Sequence, residues 1–194
     1  MSKLKVFFLI IFGLIITFFV FNNLLRMMYP IKYYSYIEKY SAMYDLDKYL
    51  VMSVIKVESN FNEKATSVKD ARGLMQITPS TGNWIAEQMN LVEFSPDKLY
   101  DPEQNIFMGC WYLDNLRKEF DDNYMLILSA YNAGRGNVNK WLQNPEFSKD
   151  GKNLDYILFK ETELYIKKIN LNYNIYKALY GDKLIDNSKN YNYN

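Results

Sequence analysis

The sequence contains no histidine, and its one cysteine is Cys110. Without histidine, Ser-His and Cys-His nucleophile systems and the usual histidine-containing zinc sites are excluded. A single cysteine excludes an intramolecular disulfide, and Cys110 is predicted to pack as a small apolar residue. Carboxylates therefore remain as the obvious catalytic groups.

An excess of charge of either sign is also missing. The chain has 23 Lys and Arg against 22 Asp and Glu, a formal net charge of +1, so nothing favours nucleic acid as a partner. The apolar residues, 49% of the chain, and the 18 tyrosines favour a globular protein over a disordered one. A length of 194 residues suits one domain of about 150 residues with attachments, and no internal repeat or second domain is evident.

The amino-terminal segment is a separate element. The run from Val6 to Leu25 carries no charge, and twenty residues of helix span roughly 30 Å, the thickness of a bilayer core. We therefore interpret residues 1–29 as a single-pass membrane anchor. A cleavable signal peptide is the alternative, although no Ala-x-Ala site follows, and a buried core helix is a third reading. Lys3 and Lys5 favour a cytoplasmic amino terminus and an extracytoplasmic domain, while basic residues on the other flank oppose this orientation.

Helical periodicity and capping residues predict a mainly α domain over residues 30–181, followed by a disordered tail over 182–194. Asp101 followed by Pro102 is a strong helix start, with aspartate as the cap and proline at the first helical position. Other helices are predicted over 31–44, in the segment that leads to Glu58, after Pro79, over 124–131 and from about 155 to 181. Short extended structure is expected at 74–77.

Glu58 is the candidate acid. It follows an apolar stripe at helical spacing, formed by Val51, Val54 and Ile55, and falls in the last turn of that helix. The negative end of the helix dipole and the apolar neighbours both disfavour a charged carboxylate, so its pKa should rise, as a general acid near neutral pH requires. A solvated glutamate at the helix end is the alternative. Gly73 in the polar loop that follows allows a close backbone approach.

Four blocks of sequence strengthen the catalytic interpretation. They are Glu58-Ser59-x-Phe61 with Gly73-Leu74-Met75-Gln76-Ile77-x-Pro79-x-Thr81, then Asp101-Pro102-x-x-Asn105-Ile106-x-x-Gly109, then Ala130-Tyr131-Asn132-Ala133-Gly134, and finally Asp155 to Ile169. In this order they resemble the soluble lytic transglycosylase (SLT) family, which cleaves the glycan strands of peptidoglycan. The resemblance runs from about Tyr44 to Leu179. It implies a lysozyme-like fold with the cleft between two lobes.

The resemblance also implies the site. Glu58 would be the catalytic acid and base, and six residues would bind substrate by their positions in the blocks: Ser67, Gln76, Tyr131, Asn132, Glu161 and Tyr165. By physical reasoning alone, Tyr131 would be ordinary core, and a buried Glu161 could instead hold Tyr131 or a loop. No metal or cofactor is implied, and we expect a monomer whose partners are glycan strands and the membrane. The last block departs from the family at Leu158, which replaces proline, and at Glu163, which replaces arginine.

The implied reaction uses one glutamate. It protonates the glycosidic oxygen and then takes the proton of the sugar's own C6 hydroxyl, which leaves a 1,6-anhydromuramyl end. Two alternatives stay open. A hydrolytic muramidase of the goose-type lysozyme kind needs a second group that activates water, and Asp70 is the natural candidate. A catalytically silent peptidoglycan-binding module is the other, because Glu163 replaces the family's arginine.

Overall fold

A computed structural model describes residues 3–181 of the chain, and the predicted tail over 182–194 lies outside this range. The chain divides into two units, with the division between Lys32 and Tyr33. Over residues 3–181 the structure is mostly helical, and its only β-type pairs are two isolated bridges. The predicted mainly α class is confirmed.

The first unit contains the helix α1, Lys3–Met28. Its 26 residues correspond to about 39 Å of helix, which exceeds the ~30 Å of a bilayer core. Its most apolar stretch has a mean hydropathy of 2.8, and none of that stretch is buried. By length and composition, α1 is able to cross a membrane.

The second unit contains seven α-helices and one short 3₁₀ helix among its described residues. The α-helices are α2 Tyr34–Met43, α3 Lys48–Ser59, α4 Pro79–Gln88, α5 Pro102–Glu119, α6 Tyr124–Ala133, α7 Arg135–Leu142 and α8 Lys160–Tyr180; the 3₁₀ helix is Pro96–Tyr100.

Side-chain caps explain where several of these helices begin. Asp47 accepts from the amide of Tyr49 at the start of α3. Asp101 accepts from the amide of Gln104 at 2.8 Å, and Pro102 opens α5 as predicted. Caps of this kind stabilise a helix by about 1 kcal/mol each. The helix predicted from residue 31 begins instead at Tyr34, because Tyr33 has a left-handed backbone with φ 56°.

The core lies where α3 packs against α8, while α6 packs against α7 and α8, and α5 against α2 and α6. The apolar stripe of α3 is fully buried, as its spacing predicts. Cys110 on α5 has no exposed surface, which confirms its predicted packing role. The buried face of α3 thereby fixes the position of Glu58 near the end of the same helix.

The loop over residues 60–78 differs from the prediction in one place. Extended structure was predicted at 74–77, and this prediction is wrong. Thr66 and Ile77 each form a bridge with Arg72, and the residues between 72 and 77 form turns. The turn is held from outside the loop, because the buried Asn105 side chain accepts from the Met75 amide at 2.7 Å. The same side chain donates to the carbonyl oxygens of Arg72 and Leu99 at 3.0 and 2.8 Å. This tertiary contact overrides the local tendency to extend.

Candidate active site

Glu58 occupies the last turn of α3 and is partly accessible to solvent. Burial of its carboxyl raises its pKa from 4.5 to about 7, and the neighbouring Tyr165 hydroxyl lowers it in part. The sequence predicted the direction of this change and its main cause. At neutral pH the group is therefore divided between its acid and base forms, so the same side chain is able to donate and then accept a proton.

Two tyrosines flank this carboxyl, and both were predicted. Burial, together with the negative charge of Glu58, raises the pKa of Tyr131 and of Tyr165 well above 10. The Tyr131 hydroxyl donates to the carbonyl oxygen of Met75 at 2.8 Å. Both side chains are thus neutral at physiological pH, and the fold brings α3, α6 and α8 together at this point.

The Tyr165 hydroxyl differs from that of Tyr131 in its hydrogen bonding. It is buried, and it forms no hydrogen bond of ordinary geometry with the described residues, although it lies close enough to Glu58 to stabilise the carboxylate. A buried hydroxyl without a partner costs roughly 1–3 kcal/mol. Such a group at a cleft is typical of a site that completes its hydrogen bonds with a ligand.

Gln76 holds the loop and leaves one atom available. Its backbone is left-handed, with φ 50°. Its Nε2 donates to the carbonyl oxygens of Ala65 and Gly73 at 3.1 and 2.9 Å. Because only the amide nitrogen is able to donate to two carbonyl oxygens, this orientation of the side chain is unambiguous. The Oε1 atom remains as an acceptor for a ligand.

Asn132 is fixed by a residue that sequence reasoning missed. Thr162, which is 1% exposed, donates from its Oγ1 to Oδ1 of Asn132 at 2.8 Å. The Nδ2 donors of Asn132 stay available to a ligand. Thr162 follows Glu161 in the last sequence block, so its position in that block was the signal that could have identified it.

The structure gives Ser67 and Glu161 other surroundings. The Ser67 hydroxyl accepts from the amides of Lys69 and Ala71 at 3.2 and 3.1 Å, which shapes the loop. Glu161 is exposed in the first turn of α8 and forms no hydrogen bond or ion pair with the residues described. The alternative in which Glu161 is buried and holds Tyr131 in place is therefore wrong, since the Tyr131 hydroxyl donates to the carbonyl oxygen of Met75. A contact of Ser67 or Glu161 with substrate stays a prediction.

Ser59 is a further positioning residue. Its hydroxyl donates to the carbonyl oxygen of Leu74 at 2.8 Å, which ties the end of α3 to the 60–78 loop. Asn105 holds the other side of the same loop. The carbonyl of Met75, which receives the Tyr131 hydroxyl, is consequently held from two sides.

Glu163, which stands where the family has arginine, lies on the surface of α8. Its carboxylate forms ion pairs with Lys167 and Lys160, and the hydrogen bonds from these lysines, together with their positive charges, lower its pKa to about 2. Glu163 is thus charged and engaged with lysines of its own helix.

The helical unit, with one protonatable carboxyl beside a polar loop, has a fold of the lysozyme-like class, as its match to a solved lytic transglycosylase structure shows. Residues 35–154 match the family described as the transglycosylase SLT domain, and the chain belongs to this family. The predicted family is confirmed, and the first three sequence blocks lie within the matched residues.

Similar proteins and structures agree with this assignment. The soluble lytic murein transglycosylase of Escherichia coli K12 is 32% identical over 157 residues, which make up 80% of this chain and 24% of that protein. The membrane-bound lytic murein transglycosylase C of Photorhabdus laumondii is 32% identical over 138 residues, 66% of this chain and 37% of that protein.

Among solved structures, the crystal structure of the 70 kDa soluble lytic transglycosylase of Escherichia coli matches with a TM-score of 0.71 and 31% identity. This match covers 82% of the present chain and 26% of the other. The chain therefore spans about a quarter of the length of the soluble relatives. The apolar helix α1 and the membrane-bound relative both favour membrane association.

Proposed function

We propose that the protein is a peptidoglycan lytic transglycosylase. It cleaves the β-1,4 bond between N-acetylmuramic acid and N-acetylglucosamine without water and leaves a 1,6-anhydromuramyl end. The observation that carries this proposal is the Glu58 carboxyl, which has a pKa of about 7 and is flanked by Tyr131 and Tyr165. Family membership and the names of the relatives support the same reaction.

The reaction takes place in two proton transfers through one group. Protonated Glu58 donates to the glycosidic oxygen as the bond from C1 to that oxygen breaks. The resulting carboxylate then accepts the proton of the C6 hydroxyl, and the O6 atom bonds to C1 of the same sugar. Glu58 ends protonated, as it began. An intramolecular nucleophile has a large effective concentration, which allows it to compete with water.

The neighbouring polar groups supply binding and orientation. Oε1 of Gln76 is an acceptor, and Nδ2 of Asn132 provides donors, so together they suit the hydroxyl and acetamide groups of the sugars. The Tyr165 hydroxyl lies beside Glu58 and is able to stabilise its carboxylate form between the two proton transfers.

The hydrolytic alternative depends on Asp70. Both oxygens of its carboxylate accept from the Arg72 guanidinium, at 2.9 and 3.0 Å, and this pairing lowers the pKa of Asp70. Arg72 also bonds to Asp97 at 2.9 Å. A carboxylate held by a bidentate ion pair is a weak base, so these contacts favour the reaction that needs no activated water.

We expect Asp70→Asn to retain most of the wild-type rate, within about threefold, because a solvent-exposed ion pair contributes little to the stability of the loop. The rate of muropeptide release from purified peptidoglycan measures this effect. A loss of activity comparable to that of a Glu58 variant would transfer the assignment to a hydrolase that uses Asp70.

The anchor is the second part of the proposal. We infer that α1 spans the cell membrane once, with Lys3 and Lys5 on the cytoplasmic side, and that a monomeric catalytic domain faces the wall outside it. The full-length chain is then expected in the membrane fraction of cells, with the domain sensitive to protease added from outside. Recovery of the full-length chain as soluble protein would exclude the anchor.

A further inference from the structure

A row of aromatic rings leads away from Tyr131. The ring of Tyr131 lies 5.5 Å from that of Tyr112, and Tyr112 lies 6.1 Å from Trp84. Trp84 in turn meets Trp111 edge to face at 5.5 Å. The two tryptophans come from α4 and α5, so the row extends from the acid into a second region of the domain.

A cation lies at the far end of this row. The guanidinium carbon of Arg135 is 5.1 Å from the centroid of Trp84, and its Nε is 3.0 Å from Oε2 of Glu119. The other Glu119 oxygen accepts from Nδ2 of Asn139 at 2.9 Å, so the anchoring carboxylate is itself held in place. Arg135 is nonetheless 44% exposed, against 20% for Glu119.

This arrangement orients the guanidinium of Arg135 and leaves its two terminal amino groups available to a ligand. The guanidinium lies over the Trp84 ring, and the Glu119 carboxylate forms an ion pair with it at Nε. The two terminal amino groups of Arg135 have no hydrogen-bond partner among residues 3–181. A guanidinium fixed in this way is suited to a carboxylate, which it binds with two parallel hydrogen bonds.

The position of Arg135 relates it to the proposed substrate. It is the first residue of α7 and follows Asn132 by three residues, with Gly134 making the change of direction between the helices at φ 92°. In peptidoglycan, the lactyl group of each N-acetylmuramic acid carries a peptide with free carboxylates. A glycan strand placed at Glu58 brings these peptides along the walls of the site.

We propose that Arg135, supported by Trp84 and Glu119, binds a carboxylate of the stem peptide of the strand. The inference rests on the proposed function, because it assumes that the glycan lies at Glu58. It makes Arg135 a specificity-determining residue that favours peptide-bearing strands over bare glycan. A sugar ring is the poorer ligand here, since Arg135 already occupies a face of Trp84.

The competing role for Arg135 is purely structural, as the counter-ion of Glu119. That role predicts a loss of stability and equal losses of affinity for both kinds of strand. Binding to peptide-bearing strands and to strands stripped of peptide by an amidase therefore separates the two roles. Full-length protein in detergent micelles with the Glu58→Gln change is the parent, so that binding is measured without turnover.

The parent is expected to prefer peptide-bearing strands, and Arg135→Gln to lower this preference about tenfold, as the loss of a charge-assisted hydrogen-bonded contact would. Arg135→Lys keeps the charge without the planar fork and should lose part of the preference. Lys140→Gln removes an exposed charge from the same helix and should leave the preference as it is.

An Arg135→Gln protein that retains the preference of the parent, or that loses affinity equally for both strands, would overturn the inference. If Arg135→Gln does not fold, Arg135→Lys decides by the same ratio, because its charge still faces Glu119. A parent that binds strands without a preference refutes the role of Arg135 alone. A parent that binds neither strand overturns the proposed substrate as well.

Discussion

Glu58→Gln is expected to lower the rate of muropeptide release by about 10³-fold or more, because it keeps the shape of the side chain and removes its titrating proton. The remaining contacts of the site do not supply a second proton donor to the glycosidic oxygen: Tyr131 and Tyr165 both have pKa values well above 10. Digestion of purified peptidoglycan under saturating substrate measures the loss.

A matched control is available on α4, where Glu87 is exposed to solvent. Glu87→Gln makes the same chemical change away from Glu58 and is expected to retain the wild-type rate. A Glu58→Gln protein within tenfold of wild type would show that another group carries the proton.

The same variant gives a stability test with a defined sign. The folded pKa of Glu58 is about 7, against 4.5 as its ordinary value. Between these two pH values the folded protein holds a proton that the unfolded chain has released, so wild-type stability falls as pH rises through this window. The full penalty is up to about 3 kcal/mol above pH 7.

Glutamine does not ionise, and Glu58→Gln should therefore be more stable than wild type at pH 8 by a larger margin than at pH 4. Denaturant unfolding at the two pH values measures both margins. Equal margins would mean that burial does not raise the pKa of Glu58, and that its proposed acid form would be scarce at neutral pH.

Gly73→Ala is expected to destabilise the domain by about 3 kcal/mol or more. A Cβ at this position would lie 2.1 Å from the carbonyl oxygen of Leu99 and 2.5 Å from Nδ2 of Asn105, and the backbone has φ +73°. Neither neighbour is free to move, because the Leu99 carbonyl and Asn105 bond to each other at 2.8 Å. The loop and its Met75 carbonyl would shift, so activity should fall together with stability.

Gly136 is the matched control for this change. It is the second residue of α7, and a Cβ there would meet nothing within 4 Å. Alanine is a better helix former than glycine by up to ~1 kcal/mol, so Gly136→Ala should be neutral or stabilising. Urea unfolding of both variants gives the comparison. A Gly73→Ala protein as stable as wild type would contradict the described packing of the loop on Asn105.

The helices were predictable because their signals are local. Asp101 and Pro102 mark the start of α5 by capping and by the fixed φ of proline, and the spacing of Val51, Val54 and Ile55 marks the buried face of α3. The turn at 74–77 depends instead on Asn105, some 30 residues further along the chain. A contact of that range leaves no local pattern to read.

The residues of the site also divide into those that the sequence identified and those that it did not. Tyr165 and Glu161 were both identified by their sequence block, and residues four apart lie on neighbouring positions of a helix surface. The buried face of α8 includes Thr162, Tyr165, Ile166 and Ile169. With about 100° per residue, Glu161 lies roughly a quarter turn from the centre of that face, which explains its exposure. Thr162 lies within it and reaches Asn132.

The central claim is that O6 of the same sugar, and not water, bonds to C1 when the glycosidic bond breaks. The source of the oxygen on C1 in the product tests this claim most directly. Wild-type protein digests purified peptidoglycan in water enriched in heavy oxygen, and mass spectrometry examines the released muropeptides. Transfer to the sugar's own O6 predicts 1,6-anhydro products that are lighter than reducing ends by one water and carry no label. Labelled reducing ends as the main product would contradict the account, because they require water as the nucleophile.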